Sequence, residues 1–454
     1  MFYKSICFNF LCYCLCELIV LPSSQCLPLY NKTADGMDNE KPIQFDIENS
    51  IDDLLGEPVK SFKPRQQLVI ISFDGFRHDY IGTFNTPNLV EMINRGVYAP
   101  DGYYPAFATK TFPTHWTLAT GLHEENHGLV DNRFFDPLLN ETFTRSKSGS
   151  KWFAGEPIWS TCRRQNCSAN VLFWPGSASN AKPKNQHQFN LPYNETITLE
   201  DRFEYLLNWI ENGIDLSMIY FHQPDQAGHE FGAFSEPVRT QVEKIDQMVG
   251  DFMHTLRNSS KYSNVNVIIT GDHGMANLTN NGTIYLIDYI NMTDVAVVSQ
   301  LGAVASLLPK PGRLETIYNA LKSSGNPHFE VYRKKDVPNR FHYKNSHRIM
   351  PIVMIAQEGY IIDTAPRTRR KRKVAFHGYD NLLPSMRPIF LAEGPLFKPS
   401  YLIEPFHSVN LYSLFCHILK IQPGPNDGSL SSISHILTDT NFLETKQRKK
   451  KRRN

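Results

Sequence analysis

Three continuous apolar runs along the chain predict buried β-strands. They are residues 68–73 (LVIISF), 216–221 (LSMIYF) and 265–270 (VNVIIT). Each run is short, as strands are, and each lacks the polar alternation of a strand with one wet face. Strands covered on both faces are typical of a parallel sheet between two layers of helices.

Amphipathic patterns between these runs predict helices. Thr86-Pro87 opens a short helix that Gly96 closes, with proline in the first turn and glycine past the end. Ser235 opens a longer helix that ends near Asn258, before the next strand. Its apolar residues recur at helical spacing on one face: Val238, Val242, Ile245, Val249, Phe252 and Leu256. Strand, helix and strand in this order predict an α/β fold with a central, mostly parallel sheet flanked by helices.

The composition is that of a globular protein. Of 454 residues, 41% are apolar and 20% charged, which excludes a disordered, collagen-like or disulfide-scaffold protein. The net charge of +2 hides two basic runs, residues 367–373 with six cations and residues 446–453 with seven. Without these thirteen, 34 basic residues face 45 acidic ones, a balance of −11. The remaining body is therefore acidic.

The N-terminus predicts export. Residues 1–26 read as a signal peptide, with Lys4 before a mostly apolar stretch (residues 6–21) and small residues at 23 and 24. An uncleaved signal anchor at the cell surface is the alternative, although the stretch is short for a membrane span. Residues 27–64 are expected to be a linker. The predicted location is secreted, or extracellular.

Cysteines and glycosylation sequons agree with export. Only three cysteines lie beyond residue 26; a local Cys162–Cys167 disulfide suits an oxidising compartment and leaves Cys416 buried in a helix-like run. Eight Asn-X-Ser/Thr sequons predict a glycoprotein. Their asparagines are Asn31, Asn140, Asn166, Asn194, Asn258, Asn277, Asn281 and Asn291.

The basic runs allow three interpretations. Most such runs are solvated. Residues 367–373 could instead be a convertase-type cleavage site, and the basic C-terminal tail (residues 436–454) could contact a polyanionic matrix or a membrane surface. No sequence-specific nucleic-acid partner is expected, and the oligomeric state stays open.

Each predicted strand leads to an aspartate. Asp74 follows the first, Asp225 the second and Asp272 the third. The carboxyl ends of parallel strands meet at one edge of a sheet, where α/β proteins bind ligands. Like charges gathered there are costly unless a cation offsets them. The sequence therefore predicts a metal site at this edge.

Histidines indicate which metal. His229 lies four residues after Asp225, His273 follows Asp272, and a further histidine, His377, precedes a glycine. Mixed nitrogen and oxygen ligands without a thiolate favour zinc over calcium, with manganese or cobalt as alternatives. Two divalent cations would neutralise the clustered carboxylates better than one.

Six motifs together resemble the nucleotide pyrophosphatase/phosphodiesterase family of the alkaline phosphatase superfamily. They follow the family's order through a catalytic domain expected at residues 65–435, with a smaller lobe inserted at residues 277–373, and residues 415–429 resemble the family's C-terminal end. The motifs are ISFDGFR (71–77), TKTFPTHWTLATG (109–121), ENHGLVDNRFFDP (125–137), PDQAGH (224–229), GDHGM (271–275) and FHGYDN (376–381).

The resemblance implies a mechanism with two zinc ions per chain. Thr111 becomes the nucleophile and forms a phosphothreonine, while Asn132 and the backbone N–H of Thr111 stabilise the developing charge. The implied ligands are Asp225, His229 and His377 for one zinc, and Asp74, Thr111, Asp272 and His273 for the other.

The implied substrates are extracellular nucleotides or dinucleoside polyphosphates, hydrolysed to nucleoside 5′-monophosphates. Lys110 and Phe112 flank the nucleophile as in the nucleotide-hydrolysing members, and Phe112 and Tyr193 resemble the aromatic pair that holds a base. Two departures from the family pattern, Thr114 and the pair His222-Gln223, put the substrate in doubt. Hydrolysis of choline lysophospholipids is the alternative within the family.

Two alternative hypotheses place the chain in other functional classes, the zinc proteases and the non-catalytic binding proteins. His123-Glu124-Glu125-Asn126-His127 matches the H-E-x-x-H pattern of zinc proteases, but glycines at 121 and 128 argue against the long helix which that mechanism needs. A non-catalytic binder would not need Thr111. The other histidines are expected to be surface or core residues, among them His78, His115, His254 and His417.

Overall fold

The computed structural model describes residues 66–146, 149–180, 193–194, 196–366 and 373–438. The predictions for the signal peptide, the linker, Asn31, residues 367–372 and nearly all of the tail fall outside these residues. The described strands are β1 (Gln67–Phe73), β2 (Val97–Tyr98), β3 (Arg133–Asp136), β4 (Glu141–Thr144), β5 (Ala169–Leu172), β6 (Leu216–Phe221), β7 (Val265–Thr270), β8 (Ala276–Asn277), β9 (Thr283–Tyr285), β10 (Val295–Gln300), β11 (Val304–Pro309), β12 (Phe329–Arg333), β13 (Ile352–Ala356), β14 (Ile361–Asp363), β15 (Ala375–Phe376), β16 (Phe390–Glu393) and β17 (Tyr401–Leu402). The described α-helices are α1 (Pro87–Arg95), α2 (Thr111–Thr120), α3 (Glu124–His127), α4 (Ile158–Arg164), α5 (Leu199–Glu211), α6 (Asp225–Phe231), α7 (Glu236–Arg257), α8 (Leu314–Lys322) and α9 (Asn410–Leu419).

A seven-stranded sheet forms the centre, in the order β17-β2-β16-β7-β1-β6-β5. The three strands predicted from apolar runs lie side by side, since β1 pairs in parallel with β6 on one side and with β7 on the other. Strand β5 extends the parallel part beyond β6, whereas β16 runs antiparallel to β7. The predicted α/β class with a mostly parallel central sheet is confirmed.

Burial on both faces explains why these strands are continuously apolar. Along β1, Leu68 and Ile70 belong to one hydrophobic core and Val69 and Ile71 to a second on the opposite face. The first core contains residues of α2, α4 and α9, and the second contains residues of α1, α5 and α7. The sheet is therefore the middle of three layers.

The two helices predicted from periodicity form where expected. Helix α1 follows Thr86, has Pro87 in its first turn and ends at Gly96. Helix α7 lies between Ser235 and Asn258, and the six apolar residues of its predicted face are all buried.

A separate four-stranded sheet lies within the segment predicted as an inserted lobe. Strands β10, β11, β13 and β12 pair antiparallel in that order and have their own hydrophobic core with α8. At the start and end of this segment, β8 pairs with β15. The boundaries of the lobe, residues 277–373, stay a prediction.

The cysteines of the body behave as expected. A disulfide joins Cys162 to Cys167, and Cys416 is a buried free thiol within α9. Over the part of the chain that is described, no helix is both long enough and apolar enough to cross a bilayer.

Candidate metal centre and active site

Backbone hydrogen bonds continue past the strand ends and hold two aspartates together. The N–H of Asp74 donates to the carbonyl of Phe221 over 2.8 Å, and the N–H of Asp225 donates to the carbonyl of Asp74 over 2.9 Å. Gly75 makes this approach possible, because it has a φ of +69° and a Cβ there would lie 2.9 Å from Cα of Asp225. The predicted convergence at the carboxyl edge of the sheet is thus built into the backbone.

Six predicted ligands form two adjacent groups. Within each group, the ligand atoms lie within 4.8 Å of one another. The rings of His273 and His377 stack with centroids 3.5 Å apart, so the groups are neighbours. The groups are Asp74, Asp272 and His273, and Asp225, His229 and His377.

The three histidines are oriented to offer Nε2 to a metal. In each ring Nδ1 lies within hydrogen-bond distance of a backbone carbonyl, which can only accept, so Nδ1 holds the proton and Nε2 keeps its lone pair. The pairs are His229 with Ala375 (2.8 Å), His273 with Gly274 (2.9 Å) and His377 with Thr109 (2.8 Å).

Unpaired oxygens face these nitrogens. Oδ1 of Asp225 lies 3.5 Å from Nε2 of His229 and 3.6 Å from Nε2 of His377, and two lone pairs at such a distance repel unless a cation lies between them. Oδ1 of Asp74, Oδ1 of Asp225 and Oδ2 of Asp272 are buried and accept no hydrogen bond from any described residue. Such groups are costly in the absence of a cation.

The pKa shifts have the same cause. Burial raises the pKa of Asp74 well above its usual range, and the nearby carboxylates of Asp272 and Asp225 raise it further. Burial lowers the pKa of His377 well below its usual range, with additional repulsion from His273 and His229. Carboxylates that lack compensation and neutral imidazoles fit divalent cations. The donor set of nitrogen and oxygen without sulfur fits zinc.

Thr111 lies beside the first group of ligands. It is buried at the first position of α2, and its Oγ1 is 3.5 Å from Nε2 of His273. Asn132 donates from Nδ2 to the same hydroxyl over 3.3 Å and accepts at Oδ1 from the N–H of Phe112 over 2.8 Å. The N–H of Thr111 has no acceptor within the helix, and the positive end of α2 favours a phosphate at this point.

His115, expected to be a surface or core residue, contacts the backbone of Thr111 and lies near the metal-ligand candidate Asp272. It is fully buried, its Nδ1 lies 2.8 Å from the carbonyl of Thr111, and its Nε2 lies 2.9 Å from Oγ of Ser72. The same Nδ1 is 3.5 Å from Oδ2 of Asp272. Burial lowers the pKa of His115, and the neutral ring can therefore position the nucleophile and a metal ligand together. Its four-residue spacing from Thr111 on a helix was the available signal.

A second residue that the sequence did not reveal is Tyr220. Its hydroxyl donates to Oδ2 of Asp74, which leaves Oδ1 of that carboxylate for a metal. Its ring centroid lies 6.2 Å from that of Tyr193, one of the two predicted base-binding rings. Tyr193 is about half exposed, and Phe112 is half-buried with its ring packed edge-on against that of Phe143 at an angle of 70°.

The sequence model of the type I phosphodiesterase/nucleotide pyrophosphatase family matches residues 68–380 of this chain. The chain belongs to that family. It is thus a hydrolase of the phosphoric diester and nucleotide diphosphatase class, and the family and superfamily expected from the six motifs are confirmed. Buried Asp and His clusters are in keeping with a family of metal-dependent phosphodiesterases.

Similar proteins span the same region. The chain is 36% identical over 384 residues to human ectonucleotide pyrophosphatase/phosphodiesterase family member 5, covering 83% of this chain and 79% of that protein. It is 36% identical over 380 residues to human bis(5′-adenosyl)-triphosphatase ENPP4, covering 82% of each. Among solved structures, an inactive variant of murine family member 5 in complex with AMP superposes with a TM-score of 0.76, at 35% identity over 82% of this chain and 100% of that one.

Lys110, which the family pattern implies as a substrate-binding residue, has protein partners of its own. It is buried, its Nζ lies 3.8 Å from Oδ2 of Asp131, and it sits over the ring of Phe376 at 4.8 Å from the centroid. Burial raises the pKa of Asp131, and Lys110 acts in the opposite direction. Lys110 therefore has a structural partner in this phosphodiesterase, and its contact with substrate stays a prediction.

The two departures from the family pattern have different surroundings. Thr114 is fully buried within α2. Gln223 accepts from the N–H of Ala227 over 3.2 Å at the start of α6, and His222 has its ring 6.5 Å from that of Tyr193. Of the two, the His222-Gln223 pair is the one beside the predicted base-binding region.

The match to zinc proteases is accidental. Helix α3 has only four residues, and His123 precedes it. His127 is buried; its Nε2 lies 3.0 Å from Oγ1 of Thr117, and its Nδ1 accepts from the N–H of Leu129 over 3.1 Å. Both ring nitrogens are thus used within the core. Elsewhere His78 is buried against the carbonyl of Pro100, as expected of a core histidine.

Proposed function

We propose that this chain is a secreted, zinc-dependent enzyme that hydrolyses nucleotides or dinucleoside polyphosphates to nucleoside 5′-monophosphates through a phosphothreonine at Thr111. The observation that carries the proposal is the position of this hydroxyl, 3.5 Å from Nε2 of His273 and beside the two groups of candidate metal ligands. The names of two similar proteins support the substrate class, since one is a bis(5′-adenosyl)-triphosphatase and another was solved with AMP.

Two zinc ions would be held by the two ligand groups, with Thr111 joining the group of Asp74, Asp272 and His273. When bound, they lower the pKa of a coordinated hydroxyl and offset the charge of the phosphate and of the departing oxygen.

The residues of this chain supply alignment and hydrogen bonds. Oγ1 of Thr111 forms a bond to phosphorus as the bond from phosphorus to the leaving oxygen breaks. The leaving group, which is the remaining phosphate chain or an alcohol, departs with that oxygen. Nδ2 of Asn132 and the N–H of Thr111 donate to a non-bridging oxygen as its charge grows. A water then displaces Thr111 from phosphorus, which releases the 5′-monophosphate and restores the hydroxyl.

Two aromatic side chains border the position of the nucleoside. Phe112 follows the nucleophile directly, and Tyr193 lies against Tyr220, which holds Asp74. Stacking between aromatic faces tolerates any base, because every base has a π-face. Lys110 approaches the same region as a buried cation and favours the negatively charged substrate.

Export is supported by the placement of the sequons. The seven described sequon asparagines are all exposed, as glycan attachment requires. They are Asn140, Asn166, Asn194, Asn258, Asn277, Asn281 and Asn291.

A parallel assay tests the proposed activity. The purified chain is given a dinucleoside polyphosphate, a nucleoside triphosphate or a lysophosphocholine, and the products are separated by chromatography. We expect a nucleoside 5′-monophosphate from one or both nucleotides, loss of activity with a chelator and recovery with zinc. Acid quenching during turnover should trap phosphate on Thr111. Cleavage of lysophosphocholine alone would favour the lipid alternative, and phosphate trapped at another residue would refute the role of Thr111.

A further inference from the structure

A groove with both polar and apolar lining residues lies where α6 ends, outside the metal centre. It has a volume of about 380 Å³ and includes Phe231, Phe234, Val374 and Asn277 in its lining. Phe231 is 53% exposed, Phe234 46% and Val374 40%. Two phenylalanines and a valine exposed at one place on a surface are a candidate contact for an apolar face of another group.

Asn277 lines this groove and also begins a sequon. It is exposed and is followed by Leu278 and Thr279. Its Oδ1 accepts a hydrogen bond from the N–H of Ala233 over 2.7 Å, which fixes the orientation of the amide. Its Nδ2, the atom to which an N-linked sugar is joined, donates no hydrogen bond to any described residue.

We propose that Asn277 carries an N-linked glycan whose first sugar packs on Phe231 and Phe234 and covers the groove. In the attachment step Nδ2 forms a bond to C1 of the sugar and loses one proton, while the bond from C1 to the pyrophosphate of a lipid-linked oligosaccharide breaks. The C–H face of a pyranose ring is apolar and packs against aromatic rings, as other apolar surfaces do.

Other sequons provide the comparison. Asn140 begins a sequon that ends at Thr142 and lies at the turn between β3 and β4, outside the groove. Removing a glycan there should not expose Phe231 or Phe234. The inference rests on the proposed export of the chain, so the occupancy of Asn140 and the other sequons tests export separately from the occupancy of Asn277.

Four forms of the full chain, secreted from eukaryotic cells, test the inference. Thr279→Ala removes the sequon but leaves Asn277 and its hydrogen bond intact, Thr279→Ser keeps the sequon, and Thr142→Ala removes the control sequon. Glycopeptide mass spectrometry gives occupancy, and fluorescence of anilinonaphthalene sulfonate reports exposed apolar surface. We expect an occupied Asn277 in the wild type and a several-fold rise in dye fluorescence only for Thr279→Ala, with nucleotide hydrolysis retained.

Trimming the wild-type glycans with an endoglycosidase that leaves the first sugar isolates the role of that sugar. Dye fluorescence should stay low after trimming, and Phe231→Ser should suppress the rise in the Thr279→Ala protein. An unoccupied Asn277 beside occupied sequons overturns the inference alone, and a chain with every sequon unoccupied overturns export as well. Equal dye binding by Thr279→Ala and Thr279→Ser overturns the covering role.

Discussion

Replacing Asp74 with asparagine should have opposite effects on stability with and without metal. The side chain is buried, its Oδ2 accepts from the hydroxyl of Tyr220, and its Oδ1 has no donor among the described residues. An asparagine oxygen can still accept from Tyr220, so the shape and one hydrogen bond are kept. The substitution removes one candidate metal ligand, the carboxylate Oδ1, and one negative charge.

In the metal-free protein, the direction of the stability change caused by Asp74→Asn follows from the raised pKa of Asp74. A group whose pKa is higher in the folded state stabilises fully below its unfolded pKa, near 3.9, and this contribution is lost as the pH rises toward the folded value. The loss amounts to about 1.4 kcal/mol per pH unit across that window. Asparagine does not titrate, so Asp74→Asn should become increasingly more stable than the wild type as the pH rises through the window.

With zinc the order should reverse. Zinc bound only to the folded state adds about 2.7 kcal/mol at a free concentration one hundred times Kd, and the variant keeps only about 0.4 kcal/mol of that gain if its affinity falls by the same factor. Urea unfolding, followed by the fluorescence of buried Trp116 and Trp174, measures both conditions between pH 5 and 8. Asp101→Asn, at an exposed position, is the control and should change the unfolding free energy neither with zinc nor without it. A chelated Asp74→Asn protein less stable than chelated wild type at pH 8 would refute the reasoning.

Three further predictions concern turnover. Thr111→Ala should keep its zinc by elemental analysis yet lose activity by on the order of 10⁴-fold or more, and appreciable turnover would remove Thr111 from its role. Phe112→Ala should raise KM for nucleotides by a factor matching about 1–3 kcal/mol of stacking while sparing a small phosphate ester, and equal effects on both would argue against stacking. His115→Ala should lower kcat on the order of tenfold with KM nearly unchanged, and His115→Asn, which keeps a donor near the carbonyl of Thr111, should restore much of the lost kcat. A purely structural role would instead reduce the folded yield of both variants without lowering kcat alone.

The fold and the clustering of the candidate ligands at one edge of the sheet could be predicted because their signals are local. A continuous apolar run such as residues 265–270 demands burial on both faces, and the residue after a parallel strand has little choice of position. Asp74 directly follows β1 and Asp272 lies two residues after β7, so both are expected at this edge. Asp225 lies four residues after β6 and is held there by the hydrogen bond from its N–H to the carbonyl of Asp74. Local signals were not enough to predict Thr111 as the nucleophile. A threonine at a helix start is common, and only the resemblance to a family distinguished this one.

The supporting contacts could not be predicted because they cross between elements. His115 reaches Ser72 on β1 and lies near Asp272 after β7, contacts that depend on how α2 packs on the sheet. The partner of Lys110 was likewise not predictable, because the ion pair with Asp131 depends on packing between segments; its contact with substrate stays a prediction. Sequence spacing fixes which residues share a helix face but not which atoms oppose that face.

His377 links the metal centre to the segment with the second sheet. The chain leaves the site at His273, forms β8 and returns as β15 immediately before His377, and the pairing of Asn277 with Ala375 and of Ala276 with Phe376 connects the departing and returning strands. A hydrogen bond from Val374 to the carbonyl of His229 adds a third connection, because His229 in turn has its Nδ1 against the carbonyl of Ala375. Two ligands of one metal group are thus positioned by the same short strand.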